Sequence, residues 1–157
     1  LHALRAAGVR TSWLFKSSSP QAGLWGADIT GVTDSELHRM RILAGGATAT
    51  RAAGRSLDLD LALSETPRLD PAFDAHSLPL ARWADAVWDA DVPLPLLELA
   101  VARAHEATDA AKPWQAVRGP AGALAVTLSR VGWRLVSATR VDDDIGGSWD
   151  LAATCPR

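Results

Sequence analysis

The stretch Pro79-Leu80-Ala81-Arg82-Trp83-Ala84-Asp85-Ala86-Val87-Trp88 carries the clearest amphipathic signal in the chain. Leu80, Trp83, Val87 and Trp88 recur at i, i+3, i+7 and i+8, a spacing that stacks them on one face of a helix. Upstream, Asp70-Pro71 reads as a helix start, with Asp as N-cap and proline in the first turn. Pro79 is expected to interrupt that helix, because it removes an amide donor from the interior. Downstream, Asp91 to Pro95 breaks the pattern. Leu96, Leu97, Ala100, Val101 and Ala104 then form a second helical face that ends before Lys112-Pro113. Gly119-Pro120 opens a third helix, with Leu124, Leu128 and Val131 on one side.

Working outward from this block, Thr33-Asp34-Ser35-Glu36 is a capping box. The Thr33 hydroxyl accepts from the Glu36 amide while Glu36 reaches back to the Thr33 amide. A helix follows with Leu37, Met40 and Ala44 on one face, and Gly45-Gly46 is expected to end it. Ser17-Ser18-Ser19-Pro20 reads as a turn or linker. From Ser56, the alternation of Leu57, Leu59, Leu61 and Leu63 has strand periodicity, but leucine and alanine favour helix and Ser56 is a suitable cap; the reading leans helical. After Gly132 the character changes. Trp133 to Val141 is rich in β-branched and aromatic residues, Asp142 to Gly147 is a polar turn, and Trp149 to Thr154 suits an extended chain. The expected fold is mainly α, a small helical domain with a C-terminal β-hairpin, divided into residues 1–55, 56–132 and 133–157. No repeat of domain-building length is visible.

Composition bounds the function. The chain has 157 residues, 48% of them hydrophobic, and a formal net charge of −2, enough for a modest core and unlike a disordered chain. A single cysteine, Cys155, excludes an internal disulfide framework and any multi-cysteine zinc site. No uncharged apolar run approaches the roughly 20 residues of a membrane-spanning helix, so no membrane partner is expected. The chain opens at Leu1 rather than Met, with no signal segment, and reads as part of a longer polypeptide. Fourteen arginines stand against two lysines, and fourteen aspartates against four glutamates, a pattern that a GC-rich coding sequence produces. Charge is unevenly spread: residues 1–56 carry seven basic and three acidic side chains, and residues 57–157 carry nine and fifteen. Such asymmetry suggests different partners for the two parts.

Candidate chemistry is sparse. His105-Glu106-Ala107-Thr108-Asp109 matches H-E-x-x-H with Asp in place of the second histidine, and i and i+4 share a helix face; no downstream ligand accompanies it, and a polar helix end explains the same residues. Asp142-Asp143-Asp144 before Gly146-Gly147 lacks the alternating carboxylates of a calcium loop and suits a solvated hairpin turn. There is no G-x-S-x-G elbow and neither Walker nor Rossmann spacing. No catalytic and no metal-ligating residue is therefore assigned. Lys16, Arg39, Arg41, Arg51 and Arg55 are the candidate nucleic-acid contacts, gripping phosphates without sequence preference. Trp25 is able to stack on a base, although a lone Trp in an apolar run is more often core.

The segment from Pro20 to Arg41, with Trp25-Gly26-Ala27-Asp28 followed by a turn and then Leu37-His38-Arg39-Met40-Arg41, resembles the region just downstream of the polymerase core in non-LTR retrotransposon reverse transcriptases. Trp25 stands where tyrosine is usual in that family. Gly54 to Leu59, Pro79 to Trp88, Trp114 to Pro120 and Gly132 to Leu151 resemble the tail of such elements in GC-rich protist genomes. The resemblance implies that residues up to about 55 form a thumb, resting on an RNA or RNA–DNA template–primer duplex, and that the rest is a connector. It places the metal-binding aspartates, and their divalent metal, in an upstream part of the parent polypeptide. This chain would then be a non-catalytic, duplex-holding fragment of an intracellular enzyme, with no cofactor of its own. Two other expectations stand beside it. One is a small helical protein-interaction module whose Trp83/Trp88 stripe docks a partner. The other is a hydrolase using His105 and Glu106.

Overall fold

The computed structural model describes residues 2–7, 9, 11–48, 54–66 and 68–153. Among these, the chain forms helices α1 (His2–Ala6), α2 (Thr11–Gly23), α3 (Ala27–Thr30), α4 (Asp34–Thr48), α5 (Leu57–Ala62), α6 (Pro71–Trp88), α7 (Leu94–Thr108), α8 (Pro113–Ala116) and α9 (Gly119–Arg130). Strands β1 (Arg134–Ser137), β2 (Arg140–Asp142) and β3 (Ser148–Asp150) follow. The fold is mainly helical with a small antiparallel sheet at its C-terminal end, as the sequence implies. No helix among the described residues is long and apolar enough to cross a membrane.

Two units emerge, each with its own core. The first comprises residues 1–25 and 32–75, the second residues 26–31 and 76–157. The division falls within α6, and α5 belongs with the N-terminal helices. In the first unit, α2 and α5 pack on α4 around Phe15, Ala44, Ala47, Leu61 and Leu69. The capping box forms at the start of α4: the Glu36 amide donates to Thr33 Oγ1 at 3.3 Å and the Thr33 amide to Glu36 Oε2 at 3.2 Å. Leu57–Ala62 is a helix, its Ser56 hydroxyl accepting from the Leu59 amide. Burial of Leu61 and the cap override the strand-like alternation.

Three breaks expected from composition are absent. Helix α2 runs through Ser17-Ser18-Ser19-Pro20. The Ser17 and Ser18 hydroxyls turn back to the Leu14 carbonyl, at 3.1 and 2.8 Å, so they bond along the helix rather than compete with it. Helix α4 continues past Gly45-Gly46 to Thr48. Gly45 is buried, and a Cβ there would overlap Leu57 Cδ1; the glycine admits a close neighbour instead of ending the helix. Helix α6 passes through Pro79 without a break. Pro79 is itself fully buried, with Trp83 and Ala84 buried beyond it, and that packing outweighs the missing amide bond.

In the second unit, α9 is the central element. Every residue from Ala121 to Leu128 is buried, so it is enclosed on all sides rather than along one stripe. Its small residues Ala121, Gly122, Ala123 and Ala125 admit α7, α3 and α8 close to its axis. Val131, expected on its apolar face, is the C-cap and is 43% exposed. Trp83, Leu97, Val101, Leu124, Leu128, Leu135 and Val141 share this core.

The sheet has order β1-β2-β3, all antiparallel, with Leu135 opposite Val141 and Val141 opposite Trp149. The stretch from Trp133 to Val141, read as one strand, folds back at Ala138-Thr139 and makes a three-stranded meander of the expected hairpin. Two helix side chains hold that turn. Trp83 Nε1 donates to the Ala138 carbonyl at 2.8 Å, and the Ala138 amide donates to Glu98 Oε1 at 3.1 Å. The Asp143–Gly147 connection closes on the Asp143 carboxylate, which accepts from the Ile145 and Gly147 amides and from Trp149 Nε1.

Candidate functional site

The basic side chains singled out by sequence have unequal surroundings. Arg41, on α4, lies against two carboxylates. Its Nε donates to both oxygens of Asp70 at 3.0 and 3.1 Å, and its Nη2 donates to Asp70 Oδ2 at 2.8 Å and to Asp58 Oδ1 at 2.6 Å. The Asp70 bonds chiefly, opposed by burial and aided by Asp58, raise its pKa above the ordinary guanidinium value. Arg55 is paired through Nε with Asp60 Oδ2, and its Nη2 donates to the Gly45 carbonyl at 2.7 Å. These two arginines join α4, α5 and the start of α6 inside the first unit. Arg39 is exposed on α4, and Lys16 is half-buried on α2. Arg51 lies outside the described residues. Trp25, expected in a core, is 89% exposed; it precedes Gly26, whose φ of 78° turns the chain into α3.

The Trp83/Trp88 stripe divides. Trp83 is 5% exposed, while Trp88 is 44% exposed. Trp83 nevertheless forms part of the lining of a groove of about 840 Å³ between α7 and α9, with Leu96, Leu97, Ala100, Ala104, Ala121 and Gly122. The volume lies in the range of ligand- and segment-binding clefts. Helical periodicity puts Leu96, Ala100 and Arg103 on one side of α7. Leu96 is 56% exposed and Leu99 49% exposed, so apolar surface continues out of the groove along the helix. The charged residues in the lining are Arg103, Arg118 and Glu106.

A second cleft, of about 500 Å³, is lined by His105, Thr108, Asp109, Ser129, Trp133 and Arg134. His105 Nε2 lies 2.7 Å from the Leu135 carbonyl, an acceptor, so this nitrogen carries the ring proton. His105 and Asp109 thus share one cleft while Glu106 lines the other. The H-E-x-x-D residues do not converge, and among the described residues no three of His, Cys, Asp or Glu gather as a metal site.

No family model, curated protein or solved structure matches the chain. The site's chemistry is therefore read from its residues alone. Sequence reasoning passed over Arg103 and Arg118. Their signal was present in part: Arg103 sits one turn beyond Ala100 on the face of Leu96, a cation at the end of an apolar stripe.

Proposed function

We propose that the chain is a helical protein-interaction module, whose second unit receives a short apolar segment of a partner in the groove between α7 and α9. The observation that carries this is the groove itself, floored by Trp83 and continued outward by the exposed Leu96. Exposed apolar surface next to a cleft of this size marks an interaction site. Helix-in-groove binding uses such surfaces, with apolar anchors entering at helical spacing. The test is an NMR titration of the full chain with a leucine-bearing amphipathic peptide. Shifts confined to residues 92–106 and 116–122, and lost in Leu96→Glu, support the module. Absence of any peptide effect on those resonances rejects it.

The exposure of Trp25 in the same unit as Arg39 favours a second reading, in which the first unit holds a template–primer duplex as a reverse-transcriptase thumb does. An open aromatic face and an exposed cation are the means of base stacking and phosphate contact. Binding of an RNA–DNA duplex that weakens with salt, and weakens further in Arg39→Ala and Trp25→Ala, supports this reading. Because Arg41 and Arg55 are tied to carboxylates, Arg39 is the cleaner probe.

A further inference from the structure

Arg103 and Arg118 give the groove a sign. Three charged side chains line it, two guanidinium groups and the Glu106 carboxylate, so its charge is positive within a chain of net −2. Arg103 is exposed; no ion pair or hydrogen bond engages its side chain among the described residues. Arg118 is also exposed but held: Nη1 donates to the Gln115 carbonyl at 3.0 Å and to the Val117 carbonyl at 2.8 Å. Neither carbonyl neutralises it, and both fix its place. A guanidinium positioned before binding loses less side-chain entropy when a carboxylate arrives.

We propose that the groove's occupant is an amphipathic helix of a partner protein that carries acidic residues beside its apolar anchors, and that Arg103 and Arg118 select it. This rests on the interaction-module reading and specifies the partner's chemistry. The apolar anchors enter between Leu96, Ala100 and Pro120, and the acidic residues meet the two guanidiniums at the margin. The exposed Leu96 and Leu99 extend the apolar track along α7, as a rod-like occupant requires and a short ligand enclosed in a pocket does not. Charge complementarity of this kind governs partner choice and association rate.

The test uses the full chain and three labelled synthetic helices read by fluorescence anisotropy: a leucine–glutamate peptide, the same peptide with lysine for glutamate, and the glutamate peptide with serine for leucine. The inference expects the leucine–glutamate peptide to bind at least about tenfold tighter than either control, with affinity falling as salt rises. In the double variant Arg103→Glu/Arg118→Glu the preference reverses toward the lysine peptide. Both positions are exposed, so folding is retained, checked by near-UV circular dichroism. Equal binding of the glutamate and lysine peptides, lost in Leu96→Glu, overturns the charge inference and leaves the module standing. Binding unaffected by Leu96→Glu overturns both. An RNA–DNA duplex that competes with the peptide and depends on Arg103 and Arg118 overturns the inference in favour of a phosphate-binding groove.

Discussion

Asp70 serves two partners at once: its Oδ1 caps α6 by accepting from the Ala72 amide at 2.9 Å, and both its oxygens accept from Arg41 Nε on α4. The two side chains are 24% and 27% exposed, so solvent screens the pair only in part. Arg41→Ala is expected to lower unfolding stability by about 1–2 kcal/mol, between the worth of a surface pair and that of a buried charged hydrogen bond. Asp70→Ala removes the cap as well and costs about 1 kcal/mol more. Asp70→Asn keeps a cap acceptor and recovers part of that loss. Urea midpoints of the three variants decide it, and equal destabilisation by Asp70→Asn and Asp70→Ala would remove the capping role.

Gly31 and Trp114 make a second tight relationship, within the other unit. Gly31 has a φ of 70°, and a Cβ there would overlap the Trp114 ring. Arg130 Cζ lies 4.5 Å from the centroid of the same ring, near enough for a cation–π contact. Gly31→Ala combines backbone strain with overpacking and is expected to cost about 2–4 kcal/mol. Gly26→Ala supplies the comparison. Its φ is 78°, yet nothing lies within 4 Å of the added Cβ, so only the backbone cost of about 1 kcal/mol remains. Thermal melts of the two variants test the difference, and equal losses would show that the ring contact is slack.

Helix caps and the α/β content were legible because they follow from neighbours in sequence. Thr33 with Glu36, Ser56 with Leu59, and Asp70 with Ala72 each close within three residues. The failures have one physical cause in common. Gly45, Pro79 and the Ser17–Pro20 run look like breaks when only local preference is weighed, and burial or hydrogen bonds along the helix decide otherwise. The turn at Ala138-Thr139 was illegible for a related reason: Trp83 and Glu98, some 40 and more residues upstream, hold it. Arg41 likewise reads as a free cation, because its acceptors Asp58 and Asp70 lie 17 and 29 residues downstream, whereas Arg55 meets Asp60 only five residues on. Trp25 departs in the other direction, an apolar residue in an apolar run that the structure leaves in solvent. The groove's charge emerges only when α7 and the segment before α9 are brought together.

The Thr33–Glu36 box predicts a pH dependence. The Thr33 hydroxyl, then the Thr33 amide, hold the Glu36 pKa below the ordinary glutamate value against a smaller opposing effect of burial, with Arg39 contributing last. A carboxylate whose folded pKa is depressed adds stability that is complete above its unfolded pKa and disappears as pH falls through the folded one. Stability is therefore expected to fall with acidification below the usual glutamate range, and Glu36→Gln should flatten that part of the profile. Urea unfolding between pH 3 and pH 6 provides the measurement. A variant with an unchanged acid slope would assign the slope to other carboxylates.

Thr127 gives the last prediction. It sits in α9 with 1% of its surface exposed, and its Oγ1 is buried without a hydrogen-bond partner. Burying an unsatisfied hydroxyl costs about 1–3 kcal/mol. Thr127→Val exchanges that hydroxyl for a methyl group of nearly the same volume and removes the unmet polar atom. The variant is expected to be more stable by about 1 kcal/mol, with a raised midpoint in both heat and urea. Thr127→Ala removes the same hydroxyl but leaves space in a closely packed helix, and the lost packing offsets the gain. The order Val above wild type, with Ala no better than wild type, separates an unsatisfied hydroxyl from a merely buried one. Destabilisation by Thr127→Val would mean that the hydroxyl is satisfied in solution and belongs to the core's polar bonding.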